Sequence, residues 1–353
     1  MSIFQKNNLT YKNMKAYYLI KNGSADKAFE LREEEPPKPG HHEVLIESEG
    51  FGLNFADVMA RLGIYKECPP LPTVVGYENV GRVKEIGEKV TSVKPGDRVL
   101  AFTRFGGYAD HIVTPEMGVA KIPETISLGE ATALATQYIT AYYAAEECGN
   151  LYKGDHVLVH AAAGGVGTAL IQLLKNKGCV VFGTAGSDEK MEYLKSLGVD
   201  YPINYRKVDY LAEIEKLGFK RKMDTTFNPV GGDYVKKDMQ LLNSGGRVLL
   251  YGASKLTDAR GNIFKLLKMV FGFGFWSPIG FVSKSTSLIG INMLKIADNK
   301  PEILPRCMEA VIKMYSEGKI KPTVGGEYGH DQLADAHAFL ESRNSMGKIA
   351  VKW

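Results

Sequence analysis

Apolar and polar positions divide the chain into three regimes. From residue 14 to about residue 138 the apolar runs are short and broken by glycine and proline. Those at 15–20, 43–48, 79–86 and 98–102 predict strands. Pro36-Pro37-Lys38-Pro39-Gly40 and Lys94-Pro95-Gly96-Asp97 supply turns between them. Such a stretch predicts a compact antiparallel β domain of barrel type. From about 139 to 293 strand and helix patterns alternate. Strands are expected at 156–160, 179–182, 224–227, 247–251 and 287–291, with helices at 168–176 and at 188–197, the latter ending at Gly198. This is the signature of an α/β unit with a doubly wound parallel sheet. Amphipathic helices at 303–317 and 332–342 follow, then a last strand at 348–352. The return to β-structure predicts that the tail completes the first domain. The expected division is 1–138 completed by 297–353, with 139–296 as a nucleotide-binding unit.

Composition narrows the classes. With 353 residues, 44% apolar and 24% charged, the chain is long enough for two ordinary globular domains. Its 44 Lys+Arg and 40 Asp+Glu leave +4, too mild and too evenly spread for a nucleic-acid binder. Cys68, Cys148, Cys179 and Cys307 are far apart, so neither a zinc knuckle nor a disulfide framework is expected, and a reducing, cytoplasmic setting is. The N-terminus lacks the apolar core of a secretory signal. The longest apolar stretch, MVFGFGFWSPIGFV at 269–282, is too short for a membrane span and holds Pro278 and three glycines.

The chemistry gathers at one glycine cluster. HVLVH at 156–160 runs into Ala161-Ala162-Ala163-Gly164-Gly165-Val166-Gly167 and then an apolar helix. Glycine at a strand-to-helix turn lets the main chain approach a pyrophosphate, with N–H groups at the helix start aimed at it. Ala162, Gly164 and Gly167 occupy the three glycine positions of the dinucleotide fingerprint; tight helix–strand packing is the plainer alternative. The next strand ends in Gly183-Thr184-Ala185-Gly186-Ser187, without the carboxylate that holds an NAD ribose. Lys190 follows on the first helical turn, where an ammonium can meet a 2′-phosphate, so NADPH is favoured. A solvated helix lysine is the alternative.

Three segments carry a family resemblance: Gly52-Leu53-Asn54-Phe55-Ala56-Asp57-Val58-Met59-Ala60-Arg61-Leu62-Gly63-Ile64-Tyr65, residues 72–83, and the AAAGGVG turn. Through them nearly the whole chain from Met14 resembles the medium-chain dehydrogenase/reductase superfamily. Within it the chain is similar to the zinc-independent quinone oxidoreductases, and nearest to the vesicle amine transport protein subgroup. The resemblance implies a GroES-like β-barrel domain beside a Rossmann domain, and a homodimer paired along 287–291. Zinc-dependent relatives carry a cysteine ligand where this chain has Asn54 and a histidine where it has Tyr77. Amide and phenol are poor Zn²⁺ ligands, so no metal is expected. The implied activity is hydride transfer from NADPH to a quinone or an α,β-unsaturated carbonyl, with Asn54 and Tyr65 as hydrogen-bond donors to the oxygen that gains charge. Tyr65 could donate a proton or only a hydrogen bond, and loop shaping is the alternative for both residues. The implied cofactor contacts are Thr140, Gly164, Gly165, Val166, Gly167, Thr184, Ser187, Lys190, Tyr205, Gly252, Ala253, Ile291 and Lys348.

Two features stand apart. His160 closes the strand before the glycine turn and reads as a satisfied core histidine. The apolar insert at 264–284, flanked by Lys265, Lys268 and Lys284, reads as a pocket lid, a dimer surface, a weak membrane-surface contact or ordinary packing. The subgroup resemblance keeps a second function open, an NADPH-binding protein of membrane association or lipid transport with little turnover.

Overall fold

The computed structural model describes residues 13–353. The N-terminal positions read above for a secretory signal lie outside them. Sixteen strands run through the described residues: β1 (Met14–Leu19), β2 (Phe29–Glu34), β3 (Glu43–Leu53), β4 (Thr73–Val74), β5 (Glu78–Ile86), β6 (Arg98–Phe102), β7 (His111–Pro115), β8 (Val119–Lys121), β9 (His156–Val159), β10 (Val180–Ala185), β11 (Tyr201–Asn204), β12 (Met223–Asn228), β13 (Leu242–Leu250), β14 (Ser287–Gly290), β15 (Val324–Gly329) and β16 (Lys348–Lys352).

The strands sort into two domains by pairing. In the β domain the order is β15-β16-β3-β5-β6-β8, with β7 on β3 and a small sheet β2-β1-β4 beside it. All of these pairs are antiparallel except β15–β16. Alternation along β3 and β6 puts Val44, Ile46, Val99 and Ala101 into one core with Ile112. β16 lies against β3, with Ala350 opposite Gly52, so the tail supplies strands to the first sheet.

The second domain is a six-stranded parallel sheet in the order β11-β10-β9-β12-β13-β14. The order reverses at β9, where the doubly wound fold places its crevice. A helical run from Leu128 to Cys148 joins the domains and widens to π geometry at Leu134–Tyr138 and Tyr143–Cys148. The expected boundary at 138/139 falls inside this run. Its buried face, with Leu134, Tyr138 and Ile139, shares one apolar core with Phe51 of the barrel and Leu170 of the nucleotide unit.

The insert is two short helices. Ile263–Gly272 is capped by Asn262, whose Oδ1 accepts the Lys265 N–H at 3.0 Å, and Pro278–Lys284 is capped by Ser277. Among the described residues no helix is long and apolar enough to cross a membrane.

Candidate active site

β16, β3 and β5 are consecutive neighbours, so side chains from the outer two can meet only across β3. Lys348 and Glu78, the first residues of β16 and β5, do so over Gly52 and form a fully buried ion pair. A methyl group at residue 52 would overlap the Glu78 carboxylate and the Lys348 side chain, so glycine is what leaves the pair room. Lys348 Nζ also donates to the Leu53 carbonyl and to Asn54 Oδ1, each at 3.2 Å. Asn54 Nδ2 donates to Glu78 Oε1 at 3.1 Å. The other Glu78 oxygen accepts the Thr136 main-chain N–H at 2.8 Å, a donor supplied by the widened π turn.

Asn54 also opens the helix Phe55–Arg61, and its own N–H donates to Asp57 Oδ2 at 2.7 Å. Burial pushes the Asp57 carboxyl up to about 8, against that N–H and with the Glu78 charge adding to the rise. Asp57 therefore holds its proton at neutral pH. Burial pulls Lys348 below the usual ammonium range, and Glu78 opposes the shift. Tyr65 is half-buried and meets Tyr77 edge-on, with ring centroids 6.1 Å apart. Burial and the Glu67 charge push its hydroxyl up to about 12, so it stays a donor across the neutral range.

The glycine turn faces this cluster. Ala161 takes φ +50° to reverse the chain after β9, and the helix Gly165–Asn176 begins behind it. A Cβ on Gly167 would strike the Ala161 and Ala162 main chain. One on Gly164 would meet only the Ala161 carbonyl oxygen, so the outer side of the turn is an open cradle. Val166 is partly buried at the helix start, and Gly165 packs under Gln137. Thr140 points along its own helix, its hydroxyl on the Thr136 carbonyl at 2.6 Å.

At the end of β10 the Thr184 carbonyl accepts the Ala162 N–H at 3.0 Å, and its hydroxyl lies 3.0 Å from His160 Nδ1. His160 Nε2 is 2.9 Å from Asp238 Oδ1, so this fully buried histidine is satisfied on both sides. Ser187 caps the helix Asp188–Ser196, accepting the Lys190 N–H at 3.3 Å. The Lys190 ammonium donates to the carbonyls of Arg343 at 2.7 Å and Ser345 at 3.0 Å; burial and then Arg206 lower its pKa. Tyr205 packs its hydroxyl end on Gly186. Gly252, Ala253 and Ile291 follow β13 and β14 at the same sheet edge, where the Ile291 N–H donates to the Leu250 carbonyl at 2.9 Å.

The two halves meet at residues 347 and 348. Gly347 N–H donates to the Ala163 carbonyl at 3.0 Å and bridges Gly164, and the next residue is Lys348. Gly347, which pairs with the glycine turn, and Lys348, whose ammonium holds Asn54, are thus consecutive residues. Helix Phe55–Arg61 packs on Ser254–Ala259 nearby, Lys295–Glu67 at 3.1 Å links the domains again, and Arg104–Asp298 at 2.6 Å ties the barrel to the chain just after the nucleotide unit.

Residues 40–124 match the family model described as the alcohol dehydrogenase GroES-like domain, and residues 165–305 match that of the zinc-binding dehydrogenase. The human synaptic vesicle membrane protein VAT-1 homolog is 36% identical over 332 residues, covering 93% of this chain and 84% of its own.

The chain belongs to the medium-chain dehydrogenase/reductase superfamily.

Among other members, a rat quinone oxidoreductase is 30% identical, covering 89% of this chain and 90% of its own. The Escherichia coli quinone oxidoreductase, solved in complex with NADPH, superposes with a TM-score of 0.82 at 26% identity, covering 96% of this chain and all of that one.

A superfamily model named for zinc raises the question whether these residues fit a Zn²⁺ ion. They do not. Asn54 Oδ1 is already bonded to an ammonium, and burial raises the Tyr77 hydroxyl far above its ordinary pKa, so it offers no anionic oxygen. Burial also raises the Cys68 thiol. A positive charge at the centre of the donor set repels a second cation.

Asn54 is legible in the sequence, whereas Glu78, Asp57 and Thr136 around it are not. The signals for the two acids are the carboxylate that follows Tyr77 and the aspartate three residues after Asn54. Lys348, expected among the cofactor contacts, sits under Asn54 with no exposed surface.

Proposed function

We propose that this member of the superfamily is a zinc-independent, NADPH-dependent reductase of quinones or α,β-unsaturated carbonyls. The observation that carries the reading is the adjacency at residues 347 and 348, which sets an open glycine cradle beside the Asn54 amide. The cradle at Gly164, Gly165, Val166 and Gly167 would hold the pyrophosphate, with Lys190 and Tyr205 at the 2′-phosphate end.

NADPH held there would supply a hydride to an electron-poor carbon of the substrate, and negative charge would grow on the substrate's carbonyl oxygen. Asn54 and Tyr65 answer that charge by donating hydrogen bonds, and a proton from water completes the hydroquinone or the saturated ketone. Tyr65 keeps its proton across the neutral range, so its part is to donate a hydrogen bond. Lys348 reads better as support for Asn54 than as a cofactor contact.

The test is NADPH consumption against a panel of benzoquinones, naphthoquinones and enones, with NADPH affinity measured in parallel. Turnover with NADPH above NADH is expected. Tight NADPH binding with no turnover of any panel member overturns the reading.

One observation favours a second activity. The insert exposes Phe264 at 79%, Phe275 at 85%, Ile279 at 72% and Val282 at 74%. Between Asp258 and Asp298 there are five basic residues and no acidic one (Arg260, Lys265, Lys268, Lys284 and Lys295). An exposed apolar surface in a segment whose charged residues are all basic fits the face of an anionic bilayer. Flotation with phosphatidylserine vesicles but not phosphatidylcholine vesicles is expected. Self-association that buries the insert, seen by light scattering without flotation, overturns the membrane reading.

A further inference from the structure

We infer that Glu78 and Lys348 are positioning residues of this reduction: their ion pair fixes which way the Asn54 amide faces and so presents one of its N–H bonds to the substrate oxygen. The inference rests on the reductase reading above and adds the device that makes Asn54 a directed donor.

An amide is nearly symmetric in shape, and its two orientations differ only in what its oxygen and nitrogen meet. At Asn54 the two neighbours leave one choice. Lys348 has three protons and no acceptor, so the atom 3.2 Å from it must be the oxygen. Glu78 is the partner of that ammonium and accepts, so the atom 3.1 Å from it must be the nitrogen. A flipped amide would set N–H against ammonium and oxygen against carboxylate, breaking two charge-assisted bonds in a buried site.

The rest of the cluster is already occupied. Lys348 also serves the Leu53 carbonyl, Glu78 takes the Thr136 N–H, and the Asn54 main-chain N–H is held by Asp57. One Nδ2 proton goes to Glu78, and among the described residues none accepts the other. That proton is the donor left for a substrate oxygen. The ion pair thus acts through Asn54, without touching substrate.

The charge-neutral double variant Glu78→Gln/Lys348→Met tests this, because it removes both charges together and strands neither. Its melting temperature and NADPH affinity should stay close to wild type. Its kcat should fall tenfold or more with little change in KM, approaching the roughly 10²-fold loss expected for Asn54→Ala. In an Asn54→Ala background the double substitution should cost nothing further. A full additional loss there, or an unchanged kcat in the Asn54 chain, overturns the inference.

A second measurement needs neither variant nor turnover. In the ¹⁵N-labelled wild-type chain the two Asn54 side-chain protons should exchange with solvent at clearly different rates, one protected by Glu78 and one open. Equal rates overturn the fixed orientation. A wild type that reduces no panel member while showing unequal exchange would sink the reductase reading and leave the fixed amide standing.

Discussion

The Lys190 ammonium donates to the carbonyl of Ser345 at 3.0 Å, tying the helix after β10 to the turn that leads into β16. The same nitrogen serves the Arg343 carbonyl at 2.7 Å. A 2′-phosphate at this point would compete with two neutral carbonyls for one cation, and a charged acceptor wins such a competition.

Lys190→Ala should therefore weaken NADPH about 10- to 100-fold more than NADH, the range for one hydrogen bond to a charged group. Titration of reduced-nicotinamide fluorescence with both cofactors measures it. An equal loss for the two would remove Lys190 from the 2′-phosphate site.

Gly52→Ala should destabilise the barrel by about 1–3 kcal/mol, the usual cost of forcing a methyl into a filled interior. The methyl displaces the Glu78–Lys348 pair, so kcat should fall along with the melting temperature. Denaturant melts and initial rates on one preparation check both. A stable variant of normal rate would mean the strands part without disturbing the pair.

His337 gives the acid side of the stability profile. It is fully buried on the helix Leu333–Glu341, its Nε2 3.1 Å from the Tyr108 hydroxyl and its ring 4.8 Å from that of Phe29. Burial and then the Arg61 charge hold its pKa down at about 3, against 6.5 when free. Between those values the unfolded chain binds the proton and the folded one does not, so stability falls as pH drops below about 6.5. Asp57 titrates with the opposite sign over the same range, so the His337 slope is read by difference: in thermal melts from pH 7 to 4 the wild type should lose stability relative to His337→Gln, and parallel curves would place the titration elsewhere.

Asp57 has the opposite sign. Its folded pKa of about 8 lies above its ordinary 3.8, so the folded chain holds the extra proton between them and loses stability as pH rises toward 8. Asp57→Asn, which still accepts the Asn54 N–H, should remove that alkaline slope. A slope that survives the substitution would place the titration elsewhere.

Replacing Phe264, Phe271 and Phe275 together by Glu should leave the melting temperature within a few degrees, since all three are exposed. Flotation with anionic vesicles should be lost while NADPH affinity is kept. Unchanged flotation would move the membrane contact off the insert.

Much of this molecule was legible as pattern. Strand 98–102 and strand 348–352 fall where periodicity put them, and so do the helices that start at 188 and 303. β15 escaped because three of its six residues are glycine, which reads as loop until β16 is there to pair with it. The insert escaped as helix because its glycines and Pro278 break the apolar period. At the site, Asn54 and the glycine turn were visible because they lie in short motifs. Their linkage was not, since Lys348 lies 294 residues from Asn54 and only the strand order brings them together.

The strand order also bears on the sequence of folding events. Closing β16 onto β3 must span the whole nucleotide unit, and while that unit is unfolded the span is a long floppy loop. Once the parallel sheet forms, the ends of the loop are already near each other, and each halving of its effective length lowers the closure cost by roughly 0.6 kcal/mol. The barrel, and with it the Glu78–Lys348 pair, should therefore mature last. A dinucleotide that steadies the nucleotide unit would act as a folding template for the catalytic half.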